Sequence, residues 1–193
     1  MRRLCVFCGS SVGNQPAYAE AARAMGALLA ARGIGLVYGG GHVGLMGVIA
    51  DAVMASGGEV IGIIPQTLAD REIAHAGITE LRVVDSMHTR KAMMAELADG
   101  FIAMPGGVGT FEEFFEVVTW MQLGLHRKPC GLLNVIAFYT PLAAFIDQAV
   151  SEGFIKPIHR AAIVVDSDPA RLLDTLATIQ LPDVPKWIGR SET

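Results

Sequence analysis

The stretch GFIAMPGGVGTFEE, residues 100–113, joins an apolar run, a glycine-rich turn and the first turn of a helix-like segment. Phe101 to Met104 predicts a buried strand, and Thr110 to Leu123 predicts a helix. A glycine-rich turn at this junction leaves backbone N–H groups without partners, and the helix dipole adds partial positive charge there. The stretch therefore predicts an α/β fold with a phosphate site. The candidate phosphate-binding residues are Gly106, Gly107, Val108, Gly109 and Thr110.

Apolar runs alternate with segments of helical periodicity along the rest of the chain. The predicted strands are Arg3 to Cys8, Ile34 to Tyr38, Val60 to Ile64, Leu81 to Val84, Phe101 to Met104, Cys130 to Asn134 and Ile163 to Val165. The predicted helices are Ala17 to Ala31, Gly44 to Ala55, Met87 to Ala98, Thr110 to Leu123, Pro141 to Glu152 and Asp168 to Thr178, with Asp168 as an N-cap. Residues 66–79 are expected to form an irregular connection.

Continuously apolar strands joined by helices are typical of a parallel sheet that is covered on both faces. We therefore predict a single Rossmann-like, doubly wound α/β domain over residues 1–180, with a mostly parallel sheet and helices on both faces. Residues 181–193 are expected to form a C-terminal tail.

Composition limits the classes of partner. The chain has 193 residues, a net charge of −4 and 52% apolar residues. It therefore has no basic footprint for a nucleic acid polymer, and no apolar run has the length of a membrane span. We expect a cytoplasmic protein whose ligand is a small molecule.

The cysteines and histidines do not suggest a metal centre. Cys5 and Cys8 form a C-x-x-C pattern within a predicted strand, where residues three apart face opposite sides. We therefore expect buried thiols and not a redox or metal pair. The five histidines lack the spacing of metal ligands. We expect neither a metal nor an organic cofactor.

Three glycine-rich turns follow predicted strands, at residues 9–13, 39–44 and 106–109. Because ligands of doubly wound domains bind beyond the carboxyl ends of the strands, these turns predict a site for a nucleotide-sized phosphate ligand. Gly9, Ser10, Gly40 and Gly41 join the candidate binding residues. The alternative is that the glycines serve tight turns and close packing, as we expect for Gly47.

The turn at residues 39–44 also satisfies G-x-G-x-x-G through Gly39, Gly41 and Gly44. A dinucleotide site of this type usually has an acid at the end of the next strand, for the ribose hydroxyls. The only acid beside that strand is Glu59, at its wrong end. A nicotinamide dinucleotide site is therefore not favoured, and the P-loop pattern is missing from the sequence.

Two further residues have alternative interpretations. Glu113 is spaced from Thr110 as in a capping box, and it is also placed to reach a ligand held at the turn.

Arg90 falls in the otherwise apolar helical stripe of Met87, Met94 and Leu97. Its guanidinium either extends from that stripe to the surface or faces the ligand cleft. Lys91 would then add a second positive charge. Glu112 and Glu116 are expected on a solvated helix surface.

Taken together, these motifs resemble those of the LOG (Lonely Guy) family, whose members were long described as lysine decarboxylases. The resemblance rests on M-H-x-R-K at residues 87–91 and P-G-G-x-G-T-x-x-E at residues 105–113. It extends through C-G-S-S at 8–11, Y-G-G-G-x-x-G-L-M-G at 38–47, and most of residues 119–134. Val108 and Phe111 depart from it, since Tyr and Leu are common there.

The resemblance implies hydrolysis of the N-glycosidic bond of cytokinin riboside 5′-monophosphates or AMP, which releases a free adenine-type base and ribose 5-phosphate. It also implies that Arg90 and Glu113 are the catalytic pair and that the protein is a homodimer. The implied substrate contacts are Glu72, Lys91, residues 106–112 (Glu112 among them) and Thr119. Two alternatives stay open: a non-catalytic nucleotide carrier or sensor, and a decarboxylase that uses pyridoxal phosphate.

Overall fold

The computed structural model describes residues 1–70 and 73–181. One sheet of seven parallel strands has the order β4-β3-β2-β1-β5-β6-β7. The strands are β1 (Arg3–Phe7), β2 (Gly35–Tyr38), β3 (Val60–Pro65), β4 (Glu80–Val84), β5 (Phe101–Ala103), β6 (Cys130–Leu133) and β7 (Ile163–Asp166). The helices are α1 (Pro16–Ala31), α2 (Gly44–Ala55), α3 (Gln66–Ala69), α4 (Met87–Leu97), α5 (Val108–Gln122), α6 (Thr140–Ser151), α7 (Pro157–Ala161) and α8 (Pro169–Thr178).

This architecture confirms the predicted fold class. All seven predicted strands and all six predicted helices are present, and α2 has the predicted bounds. Asp168 is the N-cap of α8 as predicted, because its side chain accepts a hydrogen bond from the Arg171 N–H. That residues 1–180 form one domain stays a prediction. The predicted tail lies outside the described residues apart from Leu181, and Glu72 lies outside them too.

Two expectations about local structure were wrong. Residues 66–79 are not irregular throughout, since they begin with the short helix α3. The second error concerns Thr110, which is not an N-cap. Helix α5 begins two residues earlier, at Val108, and Gly107 is its N-cap. Glu113 therefore lies in the second helical turn and does not take part in a capping box.

Alternate side chains of each central strand pack into two cores, one on each face of the sheet. Leu4, Val6 and Cys8 join the core under α1, α2 and α8, whereas Cys5 and Phe7 join the core under α4, α5 and α6. Cys5, Cys8 and Cys130 are buried free thiols, which confirms the prediction for the C-x-x-C pattern. Burial raises the pKa of each of these thiols, which disfavours the reactive thiolate.

The sheet order places a crevice beside β1. The chain builds outward from β1 through β2, β3 and β4, then returns to add β5 on the opposite side of β1. The connections after β1 and β5 therefore diverge to opposite sides at the carboxyl edge, which is where doubly wound sheets bind ligands. Within residues 1–70 and 73–181, no helix has the length and apolar character needed to cross a bilayer.

Candidate active site

The three glycine-rich turns meet at the carboxyl edge of the sheet. The Gly9 N–H donates to the Pro105 carbonyl over 3.0 Å, and the Leu45 N–H donates to the Gly9 carbonyl over 2.9 Å. Backbone bonds therefore join the turn after β1 to the turns after β5 and β2. The prediction that these turns share one edge of the sheet is confirmed.

The glycines of these turns fall into two groups. A Cβ on Gly44 would lie 2.2 Å from the Ser10 carbonyl carbon, and one on Gly106 would lie 2.1 Å from the Thr110 hydroxyl. These two glycines are needed for packing, as is Gly47, whose Cβ would lie 2.0 Å from the His42 carbonyl oxygen. By contrast, a Cβ on Gly107 or Gly109 would meet nothing within 4 Å.

The open glycines lie at the start of α5. Gly107, Val108 and Gly109 are all exposed, and the Val108 side chain is 83% exposed. The first N–H groups of a helix have no acceptor within it, and the helix dipole makes this end positive. The surface over Gly107 to Gly109 therefore suits an anion, while the buried Thr110 side chain supports the turn from below.

A cavity of about 240 Å³ opens between the turns that follow β1 and β5. Its lining includes Gly9, Ser10, Gly106 and Gly107, with Tyr18 and Phe138 as aromatic walls. A larger cavity of about 610 Å³ lies at the opposite edge of the sheet, beside Arg2, Asp99 and Pro129. The smaller cavity is the better candidate for the ligand-binding site, because the glycine-rich turns and the open start of α5 border it.

Arg90 and Glu113 form a buried ion pair in the described structure. Arg90 Nη1 lies 3.0 Å from Glu113 Oε1, and the two side chains are 9% and 11% exposed. Arg90 Nε also donates to the Ile63 carbonyl oxygen over 3.1 Å. The guanidinium thus faces inward from α4 toward β3 and α5. The surface-reaching alternative for Arg90 is therefore wrong, and contact of the guanidinium with a ligand stays a prediction.

The start of α4 fixes where Arg90 lies. Ser86 is the N-cap, and its hydroxyl accepts a hydrogen bond from the Thr89 N–H over 3.1 Å. Arg90 therefore comes one turn into the helix, and Met94, one turn further on the same face, is buried in the core. Packing of that face aims the Arg90 side chain at the sheet edge.

Burial also affects the pKa of Glu113. It raises the pKa of this carboxyl above its ordinary value of 4.5, although the positive charge of Arg90 opposes the shift. A carboxylate that is partly desolvated and held by one arginine has a free oxygen for hydrogen bonding or for charge stabilisation. Such a group is suited to act as a general base or to stabilise a developing cation.

Lys91 lies beside this pair in a separate charge cluster. Its Nζ is 2.5 Å from Glu112 Oε1 and 3.1 Å from Glu116 Oε1. Burial lowers the pKa of Lys91, but the two carboxylates outweigh that effect and raise it. The prediction of a solvated surface fits Glu112, which is 51% exposed, but it is wrong for Glu116, whose Oε2 is buried.

Three other predicted site residues, Gly40, Gly41 and Thr119, are held by contacts outside the Arg90–Glu113 ion pair. Gly40 and Gly41 are buried under the segment after residue 72, where the His75 N–H donates to the Gly40 carbonyl and Ala74 pairs with Gly41. Thr119 lies about 9 Å further along α5 than Glu113. Its hydroxyl donates to the Phe115 carbonyl, so the structure does not bring it to the ion pair.

Sequence reasoning missed two contacts of the charged residues. The Ile63 carbonyl holds Arg90, but a backbone carbonyl has no signature in the sequence. Glu116 binds Lys91 from another helix, and only the placement of α4 beside α5 reveals this pair. Among the residues that the structure describes, no group of three or more His, Cys, Asp or Glu side chains is arranged to hold a metal.

Solved structures share this fold at low sequence identity. The molybdenum cofactor binding protein from Rippkaea orientalis has a TM-score of 0.70 and 21% identity over 92% of this chain and 98% of that one. The molybdenum cofactor carrier protein of Chlamydomonas reinhardtii has a TM-score of 0.68 and 18% identity, with 91% and 96% covered. At such identities the similarity concerns the fold alone.

Sequence comparisons give the family. A family model described as "Possible lysine decarboxylase" matches residues 46–176. The cytokinin riboside 5′-monophosphate phosphoribohydrolase LOG7 of Arabidopsis thaliana is 58% identical over 84% of this chain and 75% of its own length. The phosphoribohydrolase LOG of Oryza sativa subsp. japonica is 54% identical, with 89% and 71% covered. The chain therefore belongs to the LOG family, the cytokinin riboside 5′-monophosphate phosphoribohydrolases.

Proposed function

We propose that this protein hydrolyses the N-glycosidic bond of adenine-type nucleoside 5′-monophosphates, cytokinin ribosides among them. Water adds across the bond, so that C1′ gains the hydroxyl and the base leaves with the proton. The products are a free base and ribose 5-phosphate. The observation that carries this proposal is the buried Arg90–Glu113 pair close to the open start of α5.

The start of α5 is proposed to hold the 5′-phosphate. N–H groups of Gly107, Val108 and Gly109 and the helix dipole offer hydrogen bonds and positive charge to an anion. Gly9, Ser10 and Gly106 border the adjoining cavity, in which the rest of the nucleotide would lie. With the phosphate at the start of α5, a monophosphate would be preferred to a nucleoside, because a nucleoside lacks the group that the helix end binds.

Glu113 is proposed as the catalytic carboxylate. Cleavage of the bond builds positive charge on the ribose ring and negative charge on the leaving base. A carboxylate near C1′ stabilises the first charge and can accept a proton from the attacking water. Arg90 fixes the carboxylate through the 3.0 Å contact and is itself fixed by the Ile63 carbonyl. Holding a catalytic group in the reactive orientation lowers the activation barrier, because the entropy of positioning it is lost before the reaction begins.

Lys91, Glu112, Thr119, Glu72, Gly40 and Gly41 have secondary places in the proposal. Lys91 is proposed as a point charge directed to the substrate, and Glu112 and Glu116 hold its amine. Gly40 and Gly41 support the segment that follows Glu72. Direct substrate contacts by Glu72 and Thr119 rest on the family resemblance.

Two of the four lysines, Lys91 and Lys128, are poorly suited to a decarboxylase that uses pyridoxal phosphate. A Schiff base needs a lysine that can become neutral. The two carboxylates beside Lys91 raise its pKa and keep it charged. The Lys128 amine instead donates to the Ala95 carbonyl over 2.7 Å, at the end of α4. The carrier alternative is less favoured, because anion binding alone gives no use for a buried carboxylate.

The test is release of free base from AMP and from isopentenyladenosine monophosphate, followed by chromatography. We expect Glu113→Gln to lower kcat by about 10²- to 10⁴-fold, the range of general acid–base contributions. Glu152→Gln, at an exposed position after α6, is the matched control and should keep full activity. Binding of AMP by the wild type without any release of base would instead support the carrier. A visible cofactor band with loss of CO₂ would support the decarboxylase.

We also propose a cytoplasmic homodimer. The Phe145 and Phe154 side chains, on and just after α6, are 68% and 82% exposed, and apolar surface of this kind is commonly buried between subunits. The three free cysteines suit a reducing compartment. Light scattering after size-exclusion chromatography measures the mass, and a monomer at micromolar concentration would contradict the dimer.

A further inference from the structure

Gly39, the first glycine of the G-x-G-x-x-G pattern of residues 39–44, has no role in the proposed function, and the structure explains each glycine of that pattern separately. Gly44 packs on Ser10, and a Cβ on Gly41 would lie 3.1 Å from the Met46 Cε. Gly39 has a different neighbour. A Cβ on Gly39 would lie 2.0 Å from Arg90 Nη2 and 3.2 Å from Arg90 Cζ. The guanidinium therefore occupies the space that a side chain at residue 39 would need.

The backbone at Gly39 does not itself require glycine. The next residue, Gly40, has a φ of +74°, a conformation that L-residues rarely adopt, but Gly39 is not among the positive-φ residues. Alanine could take the same backbone conformation there. The obstacles to a Cβ are the Arg90 guanidinium and, at 3.2 Å, the Met46 sulfur.

Arg90 has little freedom to move away from such a Cβ. Its Nε is bound to the Ile63 carbonyl at 3.1 Å, its Nη1 is paired with Glu113 at 3.0 Å, and its side chain is 9% exposed. Nη2 would have to retreat by about 1 Å to reach 3.0 Å, the shortest separation that real Cβ atoms show. A guanidinium is rigid and planar, so that shift would lengthen at least one of the two bonds.

We propose that Gly39 is a positioning residue that seats the Arg90 guanidinium and, through it, sets the orientation of Glu113. Its part in the reaction rests on the proposed function, whereas the contact between Gly39 and Arg90 does not. The missing Cβ at residue 39 is thus a requirement of the ion pair and not of a bound dinucleotide.

The first test is the kinetics of Gly39→Ala with AMP as substrate. A misplacement of about 1 Å commonly costs about 10²-fold in rate, so we expect kcat to fall by about that factor. KM should change by less than about threefold, because the start of α5 still binds the phosphate. Wild-type kcat in Gly39→Ala would overturn the proposal.

Gly35→Ala is the matched control. Gly35 begins the strand that Gly39 follows, and a Cβ there would meet two partly exposed side chains, at Glu59 Oε2 (2.7 Å) and at Arg3 Cγ (3.2 Å). Gly35 lies about 13 Å from the site along the strand. We expect this variant to lose some stability and to keep wild-type kcat. An equal loss of kcat in both variants would mean a general structural effect and would overturn the proposal.

The pH profile gives a readout that a merely structural role would not move. If the guanidinium retreats from Glu113, the carboxylate loses its opposing charge and the acidic limb of kcat moves to higher pH. An acidic limb unchanged from wild type would contradict this. The titratable or charged groups that face Glu113 are Arg90 and Lys91 from α4, Glu112 and Glu116 from its own helix, and Cys5 and Cys8 from the β1 segment.

A thermal-stability cycle tests the contact without any activity. Gly39→Ala should lower Tm by several degrees in the wild type and by clearly less in Arg90→Ala, where the nearer of the two obstructing side chains is gone and only the Met46 sulfur, at 3.2 Å, remains. If Gly39→Ala does not fold, folding of the double variant Gly39→Ala/Arg90→Ala would equally show that the Arg90 side chain is what excludes a Cβ at residue 39. An equal loss of Tm in the wild type and in Arg90→Ala would show that Gly39 does not position the Arg90 guanidinium. If the wild type releases no base, the proposed function fails, and this cycle still decides on the contact.

Discussion

Arg90 and Glu113 come from different helices, α4 and α5, and meet 3.0 Å apart with only 9% and 11% of their side chains exposed. Neither helix defines this geometry alone. The Arg90 Nε is anchored to the Ile63 carbonyl of β3, so that the sheet, and not only the two helices, determines where the charges lie. The proposed chemistry depends on that shared anchoring, and the following predictions test it.

The pH dependence of activity should reflect the buried carboxylate. Burial raises the pKa of Glu113 above its ordinary 4.5, and Arg90 only partly opposes the shift. The reaction needs the carboxylate form, so activity is lost as pH falls through this raised pKa. We expect the acidic limb of kcat/KM to have its midpoint above 4.5, measured over about pH 4 to 8 with AMP. A midpoint at or below 4.5 would contradict the assignment of Glu113.

Replacement of the guanidinium by an amine should impair the reaction although the charge remains. Arg90 binds Ile63 and Glu113 through two different nitrogens, and a single lysine amine cannot reproduce that planar arrangement. We expect Arg90→Lys to lower kcat/KM by about 10- to 100-fold. Arg23→Lys, at an exposed position on α1, is the control. Full activity in Arg90→Lys would show that positive charge alone suffices.

The Lys91 cluster should contribute to stability. Lys91→Met leaves Glu116, a carboxylate that is 25% exposed, without its cation, and we expect a loss of about 1–3 kcal/mol at neutral pH. The double variant Lys91→Met/Glu116→Gln removes both charges and should recover part of that loss. Urea unfolding measures the four members of this cycle. Strict additivity of the two single effects would mean that the charges do not interact.

The N-cap of α8 gives a prediction away from the site. The Asp168 carboxylate accepts a hydrogen bond from the Arg171 N–H over 2.8 Å. Asp168→Ala should cost about 1 kcal/mol and lower Tm by about 2–4 °C, while Asp168→Asn should be nearly neutral, because Asn caps equally well. Kinetics should not change in either variant. If Asp168→Asn is as destabilising as Asp168→Ala, the negative charge of Asp168 at the start of α8, and not its hydrogen bond alone, stabilises the helix.

The fold was largely predictable from the sequence because its signals are local and strong. Gly57 and Gly58 end α2 at the expected residue, and apolar runs mark every strand of the sheet. The start of α5 was misplaced because Gly107 to Gly109 suggest a turn, while the chain already adopts helical geometry at Val108. Helix α3 was missed because a single turn carries no periodicity.

The candidate site was predictable only in part. The motifs named Arg90 and Glu113, but only the structure distinguishes glycines that pack, such as Gly44 and Gly106, from the open Gly107 and Gly109. Spacing in the sequence cannot separate these cases, since the difference lies in what each missing Cβ would meet. The prediction for Thr119 came from the resemblance, and whether this residue contacts substrate stays a prediction.

From the place of β1 in the middle of the sheet, we expect assembly of the site to be a late event in folding. Its neighbours are β2, which follows closely in the chain, and β5, which begins about a hundred residues after β1 begins. Long-range pairing of this kind is slow, because the entropy of closing a large loop is lost before the contacts form. A chain that has built only the first four strands lacks β5 and therefore the turn that follows it. Recovery of base release during refolding would thus report completion of the central sheet and not merely the appearance of helices.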